Sequence, residues 1–203
     1  KFNFIGGLVK VECEIVEYPS DSDWLKMRND ALVSQGKKSE KVPSHDLKVK
    51  YLVSRHTPVY TLQYTWQWTN LPYWISVQLS RSNIGIHHIV KSQRNDIQKE
   101  YDRKKAPQDS PVTHRCVANP VAIMNTSQKR LCYTASMETR KVWNLFLEKL
   151  NEVSPELSVL CVKPCVAMNG FCSEVFSNCK FNTSSAFIKE LEVYKEKSNI
   201  KHP

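Results

Sequence analysis

Residues 60–83 read YTLQYTWQWTNLPYWISVQLSRSN. Tyr60–Thr69 is dense in aromatic and β-branched side chains and alternates with period two, which predicts a strand. Rings at this density suit stacking on bases, but packing in a core is the commoner use. Asn70-Leu71-Pro72 is expected to break the strand, and Tyr73–Arg81 predicts a short helix that leads into a polar segment. An aromatic strand, a break and a short helix therefore deliver an arginine, Arg81, to the start of a polar run.

Upstream, Leu8–Val16 alternates as a second strand. Ser20-Asp21-Ser22-Asp23 offers N-caps for a helix running to Val33. Gly36–His45 is polar and lysine-rich, a surface loop. Asp46–Ser54 fits helix or strand, and Pro58 closes it. Downstream, Arg94–Pro111 is highly charged and is expected to be an exposed connection unless a ligand orders it. Val117–Leu131 predicts a helix with Val121, Met124 and Leu131 among its apolar residues. Met137–Val153 predicts another, with Val142, Leu145, Phe146, Leu150 and Val153 on one stripe. Ser154-Pro155-Glu156 opens a further helix in N-cap then N1 order, and the last helix spans Ser184–Lys197. The length of 203 residues suits one domain, and there is no internal repeat.

The formal charge is +9. Such a balance favours polyanions, whether nucleic acid, nucleotide or acidic lipid, although a lysine-rich solvated surface produces it as well. No apolar run approaches the roughly 20 residues that span a bilayer. Lys1–Lys10 is too short and polar for a secretory signal, and the absence of Met at position 1 leaves room for an upstream segment. Of the five glycines, none belongs to a phosphate-cradling loop. A phosphate would have to be gripped by side chains, and arginine suits this with its planar, permanently charged fork. Arg81, Arg94, Arg103 and Arg130 are the candidates.

Spacing separates these arginines from ordinary surface charge. Gln78-Leu79-Ser80-Arg81-Ser82-Asn83 is followed by Ser92-Gln93-Arg94, then by Arg103-Lys104-Lys105-Ala106-Pro107. Asn119, Asn125 and Arg130 form an N-x5-N-x4-R pattern, and His56 precedes the aromatic strand. Taken in order, these pieces resemble the flavin-dependent thymidylate synthases. That family carries a Q-x-x-R-H-R run, an S-x-R element, an R-x-x-x-P segment and the same asparagine–arginine helix. The Ser92–Asp96 and Arg130–Cys132 stretches resemble its shorter phage-type members. The resemblance covers His56–Val153. Within it, the R-H-R run reads Arg81-Ser82-Asn83, and Val90 stands where a glutamate is common; His87 and His88 are nearby partial replacements.

The resemblance implies an α+β single domain with a central antiparallel sheet flanked by helices, assembled as a homotetramer in a bacterial or phage-infected cytoplasm. It implies FAD and dUMP stacked in a pocket shared between subunits. Methylenetetrahydrofolate is the one-carbon donor and NADPH the reductant, and the product is dTMP. Carried over, Gln78, Ser92, Gln93, Arg94 and Arg103 hold dUMP, while Arg130 faces the pyrimidine carbonyl and stabilises charge developing there. Arg81, Ser82, Asn83, Asn119 and Asn125 contact FAD. His56 lies on the folate side of the flavin and, with Arg130, is a catalytic candidate. The alternatives are modification of another pyrimidine nucleotide such as dCMP, or a catalytically silent nucleotide- or nucleic-acid-binding protein.

Seven cysteines, an odd number, argue against a secreted disulfide scaffold and for a reducing compartment. Four crowd into Cys161–Cys179, within an extension over 154–203. Cys165, Cys172 and Cys179 recur at equal spacing, and with Cys132 they make a candidate set of four zinc ligands, Cys161 being held in reserve. The short two-residue knuckle of zinc ribbons is missing, and buried free thiols packing as small hydrophobes are the plain alternative.

Overall fold

The computed structural model describes residues 10–98, 102–175 and 179–198. Four strands, β1 (Glu12–Glu17), β2 (Tyr64–Pro72), β3 (Ile86–Val90) and β4 (Pro111–Ala118), form one sheet in the order β1-β2-β4-β3. Every pairing is antiparallel. The helices are α1 (Asp21–Leu32), α2 (His45–Ser54), α3 (Tyr73–Ser80), α4 (Pro120–Leu131), α5 (Met137–Val153), α6 (Pro155–Ser158), α7 (Pro164–Ala167) and α8 (Ser185–Ser198). The expected antiparallel sheet flanked by helices is what forms. No described helix is long and apolar enough to cross a membrane.

The aromatic stretch is the centre of the core. Trp66 and Trp68 lie two residues apart, hence on one face of β2, and are fully buried. Phe146 of α5 stacks on Trp66 with ring centroids 4.3 Å apart, and Trp143 meets both tryptophans at 6.2 and 6.1 Å. The α5 stripe thus docks as its spacing predicts, with Leu145 and Val153 only partly covered. Trp143 donates its indole N–H to Ser127 Oγ at 3.0 Å, which ties α5 to α4.

Three boundaries differ from expectation. The strand does not begin at Tyr60, because residues Thr57–Thr61 form a 3-10 turn started by Pro58. Nor does it break at Asn70: the ladder continues to Pro72 through an irregularity between Trp68 and Leu71, with Asn70 in the left-handed region at φ 56°. Asparagine tolerates that conformation. Val117 and Ala118 belong to β4, and α4 begins at Pro120 behind an Asn119 N-cap whose side chain accepts from the Ala122 N–H. The predicted strand over Leu8–Val16 forms from Glu12, its first two residues lying outside the described ones. Residues 46–54 are helical, capped by Ser44.

The C-terminal extension shares the same core. Cys161, Val166, Phe181, Phe187 and Tyr194 are buried in one cluster with the sheet aromatics. Tyr64 of β2 and Ser154 share a buried hydroxyl–hydroxyl hydrogen bond of 2.8 Å, which pins the start of the extension to the sheet.

Candidate functional site

Helix α3 delivers Gln78 and Arg81 to one end of the sheet. Its N-cap is Pro72, which offers no side-chain cap, so the orphan N–H groups of Tyr73 and Trp74 donate instead to the carbonyls of Ser110 and Gln108. Beyond Arg81 the chain turns through Ser82–Gly85 and returns as β3. Gly85 has φ 74°, and a Cβ there would stand 2.9 Å from Ala122 Cβ and 3.1 Å from Asn119 Nδ2. Glycine therefore satisfies both the backbone conformation and the close approach of this turn to α4.

Turn, α4 and extension enclose a cavity of about 510 Å³, within the size range of small-molecule sites. Arg81, Ser82, Asn83, Asn125 and Lys129 line it from the turn and α4, while Lys163, Phe181 and four cysteines line it from the extension and the end of α4. Arg130 sits directly behind Ser82. One terminal nitrogen, Nη2, donates to Ser82 Oγ at 2.7 Å and to the Gln78 carbonyl at 2.6 Å. Its Nε–H is buried without a partner. Burial, and then the neighbouring Arg81, lower the Arg130 pKa. A cation held by neutral acceptors, beside a second cation and with a donor unused, favours an electron-rich or anionic ligand.

A chain of side chains reaches the same turn from the sheet. Ser76 Oγ lies 2.9 Å from His114 Nδ1, His114 Nε2 lies 2.9 Å from His88 Nδ1, and His88 Nε2 lies 3.0 Å from the Ser82 carbonyl. Cys116 Sγ is 3.3 Å from His88 Nδ1. Desolvation lowers the pKa of both histidines, that of His114 to about 4, with its neighbour His88 adding to the effect.

The remaining expected residues fall into two groups. Gln78 is committed locally, its Oε1 accepting from Thr139 and Ser136 at 2.7 and 3.3 Å. Asn119 is the α4 N-cap. His56 is exposed at the head of the 3-10 turn, its carbonyl accepting the Val59 N–H, and does not line the cavity. Ser92, Gln93, Arg94 and Arg103 lie on the charged connection, whose described residues are mostly exposed as its composition predicts, and none of the four lines the cavity. Arg94 is paired in a fork with Asp96, its backbone N–H donating to Ser92 Oγ. The Arg103 N–H donates to Asn95 Oδ1, drawing Arg94 and Arg103 into one loop.

Cys132, Cys165, Cys172 and Cys179 all line the cavity, and all seven cysteines are free thiols. The four do not stand within one ion's reach. Among the described residues, the group whose donor atoms do, all within 4.8 Å of one another, is His88, His114 and Cys116. Sequence reading set His87 and His88 beside the site without resolving the chain behind it, and it passed over His114, Lys129 and Lys163. The signal for His114 lies in the alternation of β4, whose inward row is Val112, His114, Cys116 and Ala118.

No protein-family model matches the chain, and no curated protein does. Solved structures do. Thymidylate synthase X from Helicobacter pylori, crystallised with FAD and dUMP, aligns with a TM-score of 0.59 at 13% identity, over 76% of this chain and 100% of that one. A second structure of the same enzyme with FAD and dUMP gives 0.61 at 14% identity, over 75% and 100%. The fold is that of the flavin-dependent thymidylate synthases. A UMP/dUMP methylase, PolB from Streptomyces cacaoi bound with 5-Br dUMP, shares it at a TM-score of 0.57 and 12% identity, over 76% and 98%. At such identity a thymidylate synthase fold is established, and the chemistry must be argued from the site.

Proposed function

We propose that this protein is a flavin-dependent enzyme of the thymidylate synthase type that reductively methylates dUMP to dTMP. One observation carries the reading: the run Arg81-Ser82-Asn83 and Asn125 of α4, four of the FAD candidates from two segments, line one cavity. Arg130 does not itself line the cavity; it stands behind that wall, bonded to Ser82, which does. When bound, reduced FAD would supply the hydride, with methylenetetrahydrofolate as one-carbon donor and NADPH as reductant. The chain's own part is positioning and charge. Arg81 and Lys129 give the cavity a positive lining, and Arg130 offers a fixed cation to a pyrimidine carbonyl on which negative charge develops.

Arg94 and Arg103 lie outside this cavity, and a homotetramer explains why. In a pocket shared between subunits, the charged loop of one copy would bring Ser92, Gln93, Arg94 and Arg103 to the nucleotide phosphate of another. His56 would serve the folate side in the same way, with Gln78 and Asn119 shaping the floor. Cys132, Cys165, Cys172 and Cys179 stay candidates for a structural zinc ion because they share the cavity lining; binding would draw their sulfurs together, and metal analysis of the purified protein checks it. The deciding experiment is the visible spectrum. A flavin band, with thermal stabilisation by dUMP, is expected; a colourless protein that cannot be reconstituted with FAD refutes the proposal. Stabilisation by dCMP rather than dUMP would move the substrate. The engagement of Ser82 by Arg130, where the resembling run has a histidine, favours one further reading: a silent nucleotide-binding protein that binds dUMP without FAD.

A further inference from the structure

Nothing in the proposed reaction uses the two histidines behind the turn, yet their geometry fixes where every proton sits. The Ser82 carbonyl only accepts, so His88 must carry its proton on Nε2. A neutral imidazole then leaves Nδ1 as an acceptor, and His114 must donate to it from Nε2. His114 Nδ1 is in turn an acceptor, filled by the hydroxyl of Ser76, a residue that is 1% exposed. The Cys116 thiol, kept protonated by burial, lies 3.3 Å from the same His88 Nδ1 and competes with His114 for its one lone pair. With both imidazoles neutral, as burial favours, no other arrangement of their protons satisfies all three bonds.

We infer that His88 and His114 are positioning residues, forming a one-directional hydrogen-bonded chain from Ser76 to Ser82 that holds the turn on which Arg130 closes. The inference deepens the role proposed for Arg130 and rests on that reading. Ser82 is where the two networks meet: its carbonyl is held from the sheet through His88, and its hydroxyl receives the Arg130 Nη2 hydrogen bond. Removing His88 frees the carbonyl, loosens Ser82 and leaves Nη2 with the Gln78 carbonyl alone. Protonating His88 disturbs the same chain, because its new Nδ1–H would face the His114 Nε2–H across the 2.9 Å gap until His114 shifts its proton to Nδ1, toward Ser76. His87 and Arg130 are the charged or titratable groups that add to burial in disfavouring the His88 cation.

A metal ion is the rival use of the same atoms. Two nitrogens on one tetrahedral zinc, each about 2.0–2.1 Å from it, stand about 3.3 Å apart. Here they are 2.9 Å apart, a hydrogen-bond distance. The Arg130 cation would also repel a dication, and no carboxylate among the described residues joins the group.

The test has two readouts that need no turnover. Long-range ¹H–¹⁵N spectra of the side chains at pH 7 should show both His88 and His114 protonated at Nε2 only, unchanged by a chelator or by added Zn²⁺. A proton on Nδ1 of either ring, or a Zn²⁺-dependent shift at both, overturns the chain. The second readout is labelling of Arg130 by a dicarbonyl reagent, followed by mass spectrometry. His88→Leu should speed it about tenfold, as one lost hydrogen bond at a buried site implies. His88→Gln, whose amide can still donate to Ser82, should stay near the parent rate. Equal labelling in all three proteins overturns the positioning role. A chain confirmed by both readouts in a protein that binds no nucleotide would refute the proposed function alone.

Discussion

Arg130, behind the turn at 81–85, and Arg94 and Arg103, on the charged connection, are all expected to meet dUMP, and the fold treats them in opposite ways. Around the turn, Arg130 is half-buried and bonded to Ser82 and Gln78, a glycine is pressed onto α4, and a histidine chain approaches from the sheet. In the loop, Arg94 is 65% exposed and paired with an equally exposed Asp96. The first region is organised before any ligand arrives. The second spends its charge on itself and would have to exchange that pair for a phosphate. Preorganised charge serves catalysis, whereas exposed charge serves capture.

The contrast can be broken at several points. Arg130→Ala should lower turnover of dUMP by about 10²–10³-fold, the loss of one fixed electrostatic group, with the circular dichroism spectrum and melting temperature retained; undiminished turnover refutes its role. Acid should act next. The His114 pKa lies below its ordinary value, at about 4, so the unfolded chain binds more protons than the folded one between there and about 6.5. Stability from this group is complete above pH 6.5 and is lost as pH falls toward 4, by up to about 3 kcal/mol. Urea unfolding across that range measures it, and a flat profile would show that His114 is not held neutral. Gly85→Ala should cost about 1–3 kcal/mol, from the left-handed backbone and contact with Ala122, again by urea unfolding; an unchanged midpoint would mean the turn is not pressed on α4. Arg94→Ala should be the mildest for the fold, within about 0.5 kcal/mol, because exposed ion pairs contribute little. Its effect belongs to nucleotide affinity, which titration with dUMP at low and high salt would reveal.

Much of this was legible in the chain because local patterns coincide with tertiary use. The alternation at 60–69 found the central strand, and the stripe in 137–153 found the helix that covers it. What escaped has a physical reason. β3 is a short edge strand containing His87 and His88, and β4 turns inward a row that includes His114 and Cys116. Polar residues paired to one another behave as core residues, and an apolar count cannot see the pairing. Ser82 was read for a flavin, while its carbonyl and hydroxyl are committed to His88 and Arg130, one six and the other forty-eight positions distant in the chain. Spacing identified Asn119 as part of a pattern, and the fold adds that it caps α4.

The cysteines that line the cavity give it a property unlike that of an ordinary charged cleft. Cys132, Cys165, Cys172 and Cys179 are unbridged and face the same space as Arg81 and Asn125. The wall is chemically soft beside a hard, cationic one. A ligand seated there shields nucleophilic sulfur as well as charge, so the rate of thiol alkylation becomes a built-in gauge of occupancy that needs no label and no catalytic turnover.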